Sequence, residues 1–277
     1  MRVLQSGAGV ADAPPPSPLV AAPAGREVHV TIRGLSKAFG GVPLYQHLDL
    51  DLPRGKIVSI FGPNGCGKST LINMVAGLLP FDRGEVLFDG KTLRQTVIGY
   101  VFQNYRDALL PWISARDNVA YPLRRKGMPE AQVKARTEEL LRTFDVRFDV
   151  NRFPYELSGG QQQLICIMRA LAPRPEVLFL DEPFSALDFE TTLFIRDKLQ
   201  EVQLAEGTTM VIVSHDLEDA VFLADRILLL TRRPTRVAEA IDFDMPRPRD
   251  AQAVADPRFI ATRAHALAVF QREVRAR

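Results

Sequence analysis

The sequence predicts an α/β protein whose mostly parallel sheet carries helices on both faces. Three observations lead there. Apolar runs without polar alternation, such as Ile57–Phe61 and Val177–Leu180, read as strands buried on both faces. Segments of helical periodicity stand between these runs, so successive strands are joined by crossovers and pair in parallel. Gly62–Gly65 and Asp181–Glu182 follow two of the strands, at the carboxyl edge where open α/β sheets bind ligands.

Each element follows in order. Residues 1–26 form a Pro/Ala-rich arm with five prolines between Pro14 and Pro23, which forbids regular helix or central strand and predicts disorder or polyproline. Val28, Val30 and Ile32 alternate with polar residues, and so do Leu48, Leu50 and Leu52, both at strand period. Arg54–Gly55 turns the chain into the run Ile57–Phe61. A helix with Thr70, Leu71, Met74, Val75 and Leu78 then stops at Pro80. Further strands fall at Val97–Phe102, Val177–Leu180, Met210–Val213 and Ile227–Leu230. Helices fall at Glu130–Phe144, Gln161–Leu171, Glu190–Glu206 and Leu217–Ala224. A terminal helix, Phe259–Val274, places Ile260, Ala264, Leu267, Phe270 and Val274 on one helical face.

Composition narrows the function. The 277 residues hold 46% apolar and 25% charged side chains, ordinary for a globular chain. With 35 basic and 33 acidic residues, it lacks the basic excess of a dedicated nucleic-acid binder, so no nucleic-acid partner is expected. Cys66 and Cys166 form neither a metal-ligand spacing nor a disulfide framework, which suits a reducing, cytosolic compartment. No apolar run reaches membrane-spanning length and no signal layout opens the chain, so membrane contact is expected only through a partner or a surface.

Gly62-Pro-Asn-Gly-Cys-Gly-Lys-Ser69 fits the phosphate-loop pattern, between a buried strand and a helix. Its glycines let successive N–H groups converge on an anion at a helix N-terminus. The expected phosphate-binding set is Gly62, Asn64, Gly65, Cys66, Gly67, Lys68, Ser69 and Thr70. Lys68 brings positive charge to the β- and γ-phosphates, and Ser69 offers a hydroxyl to Mg²⁺. Cys66 reads either as a reactive thiol favoured by the helix start or as a small spacer. Asp181, delivered by the strand Val177–Leu180, suits the Mg²⁺ site, and Glu182 is placed to act as general base on water.

Leu157-Ser158-Gly159-Gly160-Gln161 matches the signature of ATP-binding cassette proteins, and from here the chain resembles the nucleotide-binding subunit of an ABC transporter over about residues 27–245. The resemblance implies a P-loop NTPase core, an N-terminal antiparallel β subdomain and an α-helical subdomain, about 104–165, carrying the signature. A C-terminal extension, 246–277, follows. Gln103 resembles the Q-loop glutamine, which touches water and metal. Ser185–Asp188 resembles the D-loop, His215 the switch histidine that contacts the γ-phosphate, and Phe39 the aromatic that stacks on adenine. Ser158, Gly159, Gly160 and Gln161 are implied to act in trans on ATP held by a second copy, so a homodimer sandwiching ATP and Mg²⁺ is implied. His29, His47 and His265 lack such context and read as structural.

Leu110–Pro111–Trp112, Asp117–Asn118–Val119 and the segment Thr231–Arg249 resemble importers of the nitrate/sulfonate/taurine group. The resemblance implies integral-membrane permease subunits docked after Gln103, a periplasmic or surface solute-binding protein reached through them, and a peripheral place on the cytoplasmic face of the inner membrane. The solute is then a small anion of that type. Trp112 either fills the helical subdomain or faces a partner. The arginine-rich tail, ten arginines and no lysine over 232–277, reads as a solvated face or as a contact for anionic headgroups. Leu164 stands where the family usually has arginine, which removes any ion pair that arginine makes in relatives. A soluble ABC ATPase with non-transport partners and a non-catalytic nucleotide-binding scaffold are the alternatives. The near-neutral core and the lack of cysteine clusters weigh against the first. Lys68, Glu182 and His215 weigh against the second.

Overall fold

In the computed structural model, residues 18–25, 27–185 and 187–275 are described. The alternation that begins at Val28 runs further than its sequence signal. Strand β1 (Val28–Phe39) and strand β2 (Val42–Pro53) make a long antiparallel hairpin. Gly40 and Gly41 turn it at φ 56° and 80°, the left-handed pair that a two-residue hairpin loop requires. Strand β3 (Ile57–Phe61) then enters the core, helix α1 (Lys68–Val75) follows the phosphate loop, and strand β4 (Arg83–Phe88) returns to pair with β1. The result is a three-stranded antiparallel sheet in the order β2-β1-β4.

The second sheet adds β5 (Ile98–Val101), β6 (Val177–Asp181), β7 (Thr209–Val213), β8 (Arg226–Leu230) and β9 (Val237–Asp242) to β3. Its order is β5-β6-β7-β3-β8-β9, parallel except for β9. Helices α2 (Tyr105–Ala108), α3 (Ala115–Arg125), α4 (Glu130–Thr143) and α5 (Gly159–Leu171) form the helical insertion between β5 and β6. Helices α6 (Phe189–Glu206), α7 (Leu217–Leu223) and α8 (Pro257–Arg275) complete the chain.

Two apolar clusters hold these layers. Val30, Leu50, Leu71, Phe88, Phe179 and Val211 fill the space between the two sheets, with α1. Leu123, Leu140, Ile165, Leu199 and Val221 pack the helices on the opposite face. Each such side chain stabilises the fold by about 1.5–3 kcal/mol. Leu164 lies in the second cluster, 9% exposed, so this position makes an apolar contact.

Several expectations change here. Helix α3 had no clear periodic signal, and Pro122 lies inside it. Ser114 nonetheless caps it, its Oγ accepting the Asp117 N–H at 3.1 Å. The expected disordered arm falls mostly on residues 1–17 and 26, outside the described residues. Its described end lies along β2, where the Val20 N–H donates to Asp49 O and Val20 O accepts from Asp51 N–H. Helix α8 buries Phe259, Ala266 and Val269, whereas Ile260 and Leu267 of the expected face are exposed. The β9 edge and α7 set that orientation, which periodicity alone does not. Trp112 is 71% exposed, which removes the core reading.

The arginine-rich tail is not simply a solvated face. Arg249 is buried, and its guanidinium donates to the carbonyls of Val221, Phe222 and Ala224, closing the C-terminus of α7. Arg247 pairs with Asp225 at 2.8 Å. Phe243, Ala253 and Phe259 belong to the helix-side cluster, so the extension packs as part of the core. Among the described residues, no helix is long and apolar enough to cross a membrane.

Candidate functional site

The site forms where β3, β6 and β7 end side by side. After β3, the chain turns through Gly62, whose Cα sits so close to Leu230 that a Cβ would lie 3.0 Å from that residue's Cβ and carbonyl oxygen. Gly65 and Gly67 adopt φ 72° and 105°, conformations that L side chains rarely take. Asn64 and Gly65 are exposed at the tip, Thr70 is half-buried, and Lys68 is buried. Lys68 Nζ donates to the carbonyls of Gly62 and Pro63 at 3.0 and 3.3 Å, inside its own loop.

The Cys66 side chain points away from this concavity into the inter-sheet core. Burial pushes its thiol up, against the opposing pull of Lys68. The reactive-thiol reading is therefore corrected: desolvation outweighs the helix start. Its backbone N–H donates to Pro63 O.

Three residues that motif reading missed support the loop from beneath. Tyr45 of β2 donates its hydroxyl to Gly67 O at 3.0 Å, Thr235 donates to Cys66 O, and Arg233 Nε donates to Gly65 O at 2.8 Å. Tyr45 lies across the hairpin from Lys37, two residues before Phe39. Phe39 is 46% exposed, and Lys37 Nζ lies 5.3 Å from its ring centroid. The sequence signal for this support was slight: a tyrosine on an amphipathic strand and a threonine before β9.

Strand β6 delivers Asp181 beside the loop. Ser69 Oγ donates to Asp181 Oδ1 at 2.8 Å, and the Tyr100 hydroxyl lies 3.5 Å from Oδ2. Burial raises the Asp181 carboxyl above its usual range, with Glu182 adding to the rise, while the Ser69 bond and Lys68 oppose it. A hydroxyl and a buried carboxylate held together in this way suit a divalent ion, because cationic charge relieves the desolvation. Gln103, the third expected metal contact, lies instead on Glu182.

Glu182 takes a left-handed backbone, φ 48°, unusual for a side chain of this size. Its N–H donates to Val213 O at the end of β7, and its carbonyl accepts from Ser185 N–H and Oγ. The turn aims the carboxylate at two neighbours. Gln103 Nε2 donates to Glu182 Oε2 at 3.0 Å, and His215 Nδ1 lies 3.3 Å from the same oxygen. Strand ends of β5, β6 and β7 thus bring Gln103, Glu182 and His215 into one cluster.

The signature sits apart, at the start of α5. Ser158 caps that helix, its Oγ accepting from Gln161 N–H while Gln161 Oε1 accepts from Ser158 N–H. Its glycines serve close approach. A Cβ on Gly159 would lie 2.6 Å from the Tyr105 hydroxyl, and one on Gly160 2.9 Å from Thr191 Cγ2. Thr191 is fixed in turn by Asp188, which caps α6. Ala186 of the D-loop lies outside the described residues. Gln163, which motif reading did not single out, donates to Pro183 O at 2.8 Å and ties α5 to the turn after Glu182.

This arrangement is that of an ATP-binding cassette. Residues 45–185 match the ABC transporter family, and the chain belongs to it. It is 36% identical over 240 residues to the taurine import ATP-binding protein of Escherichia coli K12, covering 83% of this chain and 92% of that one. It is 39% identical over 224 residues to the sulfate/thiosulfate import ATP-binding protein of Neisseria meningitidis serogroup A, covering 76% of this chain but only 62% of the relative's length. Among solved structures, a dimeric ATP-binding cassette in a post-hydrolysis state with ADP and Pi superposes with a TM-score of 0.69 at 32% identity, over 78% of this chain and all of that one.

Proposed function

We propose that this chain is the ATP-hydrolysing subunit of an importer for a sulfate-, taurine- or sulfonate-like small anion. The observation that carries the reading is the convergence of Gln103 and His215 on one oxygen of Glu182, beside the Ser69–Asp181 pair. ATP binds with its phosphates on the loop N–H groups and Lys68, and its adenine on Phe39. Ser69 and Asp181 would hold Mg²⁺, which would supply positive charge to the phosphates. Glu182 accepts the proton of the attacking water, Gln103 positions that water, and His215 contacts the γ-phosphate. Ser158 and the N–H groups of Gly159 and Gly160 serve a second copy, since the exposed Ser158 is built into a different helix from the loop. Closure of the homodimer drives the permease, and the solute-binding protein acts through that permease on the other side of the membrane.

The groove lined by Leu78, Leu79, Phe102, Gln103, Asn104 and Ala108 supports a permease partner. It encloses about 520 Å³, ends on the catalytic Gln103, and exposes Leu78 and Phe102 by 51% and 42%. Glu182→Gln tests the reading as a whole. ATP binding persists, turnover falls by about 10²–10⁴-fold, and ATP traps a dimer on gel filtration. Turnover within threefold of the unaltered chain would refute the role of Glu182.

A further inference from the structure

A second polar cluster lies away from this site, where the antiparallel sheet meets the amino ends of β6 and β7. His29 of β1 is 2% exposed. Its Nδ1 lies 2.6 Å from Thr209 Oγ1, at the start of β7. Its Nε2 is buried and has no hydrogen-bond partner. Asp89, after β4, places Oδ2 3.8 Å from that nitrogen, and Glu176, before β6, lies close by with its Oε1 accepting the Val97 N–H at 3.3 Å. Among the described residues this is the one place where three His, Cys, Asp or Glu ligand atoms lie within 4.8 Å of one another.

The protein satisfies Nε2 in neither tautomer. With the proton on Nε2, the nearest Asp89 oxygen is 3.8 Å away, too far for a hydrogen bond. With the proton on Nδ1, donated to Thr209, the buried Nε2 lone pair has no donor among the described residues. Arg54, the cation beside the cluster, is taken up by the other Asp89 oxygen and by Glu27.

The backbone fixes the three groups. Asp89 N–H donates to His29 O, Glu176 N–H to Val97 O, and Thr209 N–H to Glu176 O. Thr209 Oγ1 also accepts the Gly55 N–H at 2.8 Å, so the residue that orients the imidazole is itself held. Metal-bound imidazoles receive this kind of support at their second nitrogen.

We propose that His29, Asp89 and Glu176 bind one divalent first-row metal ion of the Zn²⁺ type, joining the antiparallel sheet to the parallel core. One imidazole nitrogen and two carboxylate oxygens suit Zn²⁺, Co²⁺ or Mn²⁺ better than Mg²⁺. Three protein ligands leave a fourth position for water. Bond lengths of about 2.0–2.2 Å place the ligand atoms about 3.4 Å apart, so the site closes by on the order of 1 Å.

The test uses untagged full-length protein in excess Mg²⁺ without nucleotide, titrated with Zn²⁺ by calorimetry and with Co²⁺ by visible absorption. One equivalent binds, and at about a hundredfold excess over Kd Zn²⁺ raises the unfolding midpoint by about 5 °C. His29→Gln and the double variant Asp89→Asn/Glu176→Gln abolish that equivalent and the midpoint shift. Thr209→Val, which alters no ligand, weakens binding by about 10–100-fold. Lys68→Ala leaves it intact, which separates this site from the nucleotide. Should the ligand variants fail to fold, the unaltered protein decides alone: one Co²⁺ must give the intense visible bands of a four- or five-coordinate site. No Zn²⁺ uptake below about 100 µM, an octahedral Co²⁺ spectrum, or equal uptake by folded ligand variants overturns the proposal.

Discussion

Gly159→Ala is a small change with a calculable consequence. The added methyl carbon falls 2.6 Å from the Tyr105 hydroxyl oxygen, nearly an ångström inside contact distance. Tyr105 is 5% exposed and its ring cannot swing into solvent, so either that ring or the first turn of α5 must move. Such overpacking costs about 1–3 kcal/mol. Helix propensity favours alanine by up to about 1 kcal/mol, which offsets only part of it. Displacing the turn also moves the Ser158 cap and the N–H groups of Gly159 and Gly160, so turnover should fall by more than the stability loss implies. Tyr105→Phe supplies the control. Without the hydroxyl, the next ring atom is 3.6 Å from the new methyl, an ordinary contact. Gly159→Ala in that background should therefore be neutral or slightly stabilising, with a coupling of about 1–3 kcal/mol between the two changes. Urea unfolding of the four proteins measures the coupling, and steady-state ATP turnover shows whether activity returns with it. Additivity within about 0.5 kcal/mol would refute the argument that Gly159 is glycine for the sake of Tyr105.

Further outcomes follow from other contacts. Lys68→Ala should weaken fluorescent-ATP binding and stop turnover, because the phosphate charge loses its partner; an unchanged titration would contradict the phosphate-loop assignment. Arg249→Met keeps the volume but orphans at least the carbonyls of Val221, Phe222 and Ala224. At about 1 kcal/mol each or more, the loss is about 3 kcal/mol, and a change below 1 kcal/mol in urea unfolding would sink it. Asp219 lies beside Arg196 at 3.1 Å, and burial pushes its carboxyl up to about 6 from 3.8. The folded state then holds one proton more than the unfolded state between those values, so this group makes stability fall as pH rises through that window. Asp219→Asn should flatten that part of the stability–pH curve between about pH 4 and 6; an unchanged slope would show that Asp219 does not titrate there.

Where the expected site residues fall was legible because the signals are local. Lys68, Ser69, Asp181 and Glu182 stand at or just beyond the end of an apolar run, whereas Gln103 and His215 were placed by resemblance to the family. The parallel sheet was legible for the same reason, since runs without alternation report strands buried on both faces, whereas the antiparallel sheet was implied by the resemblance and its strand β4 had no signal of its own. What stayed hidden depends on distant partners. Nothing local in Thr235 or Tyr45 says that each will hold a phosphate-loop carbonyl. The orientation of α8 is set by the surface it meets: Phe270 of the expected face packs on the core beside Phe61, whereas Ile260 and Leu267 face out. Arg249 reads as a solvated charge until the carbonyls at the end of α7 are brought around it.

That last contact bears on how the site is held together. Helix α7 begins at Asp216, which caps it by accepting from the N–H groups of Glu218 and Asp219, and so its first turn fixes His215 just outside the helix. Its other end is closed by Arg249, a cation at the negative pole of the helix. The buried guanidinium donates to main-chain carbonyls; burial, with Arg247 beside it, lowers its pKa to about 10. A charge kept at that cost, donating to carbonyls at the end of α7 and to those of Phe243 and Met245, makes the position of α7 depend on the C-terminal extension. Since His215 contacts Glu182 and Glu182 contacts Gln103, the extension is mechanically joined to the catalytic cluster through one short helix. The residues after the last strand are therefore part of what sets the position of His215, although none of them lies in a sequence motif of the site.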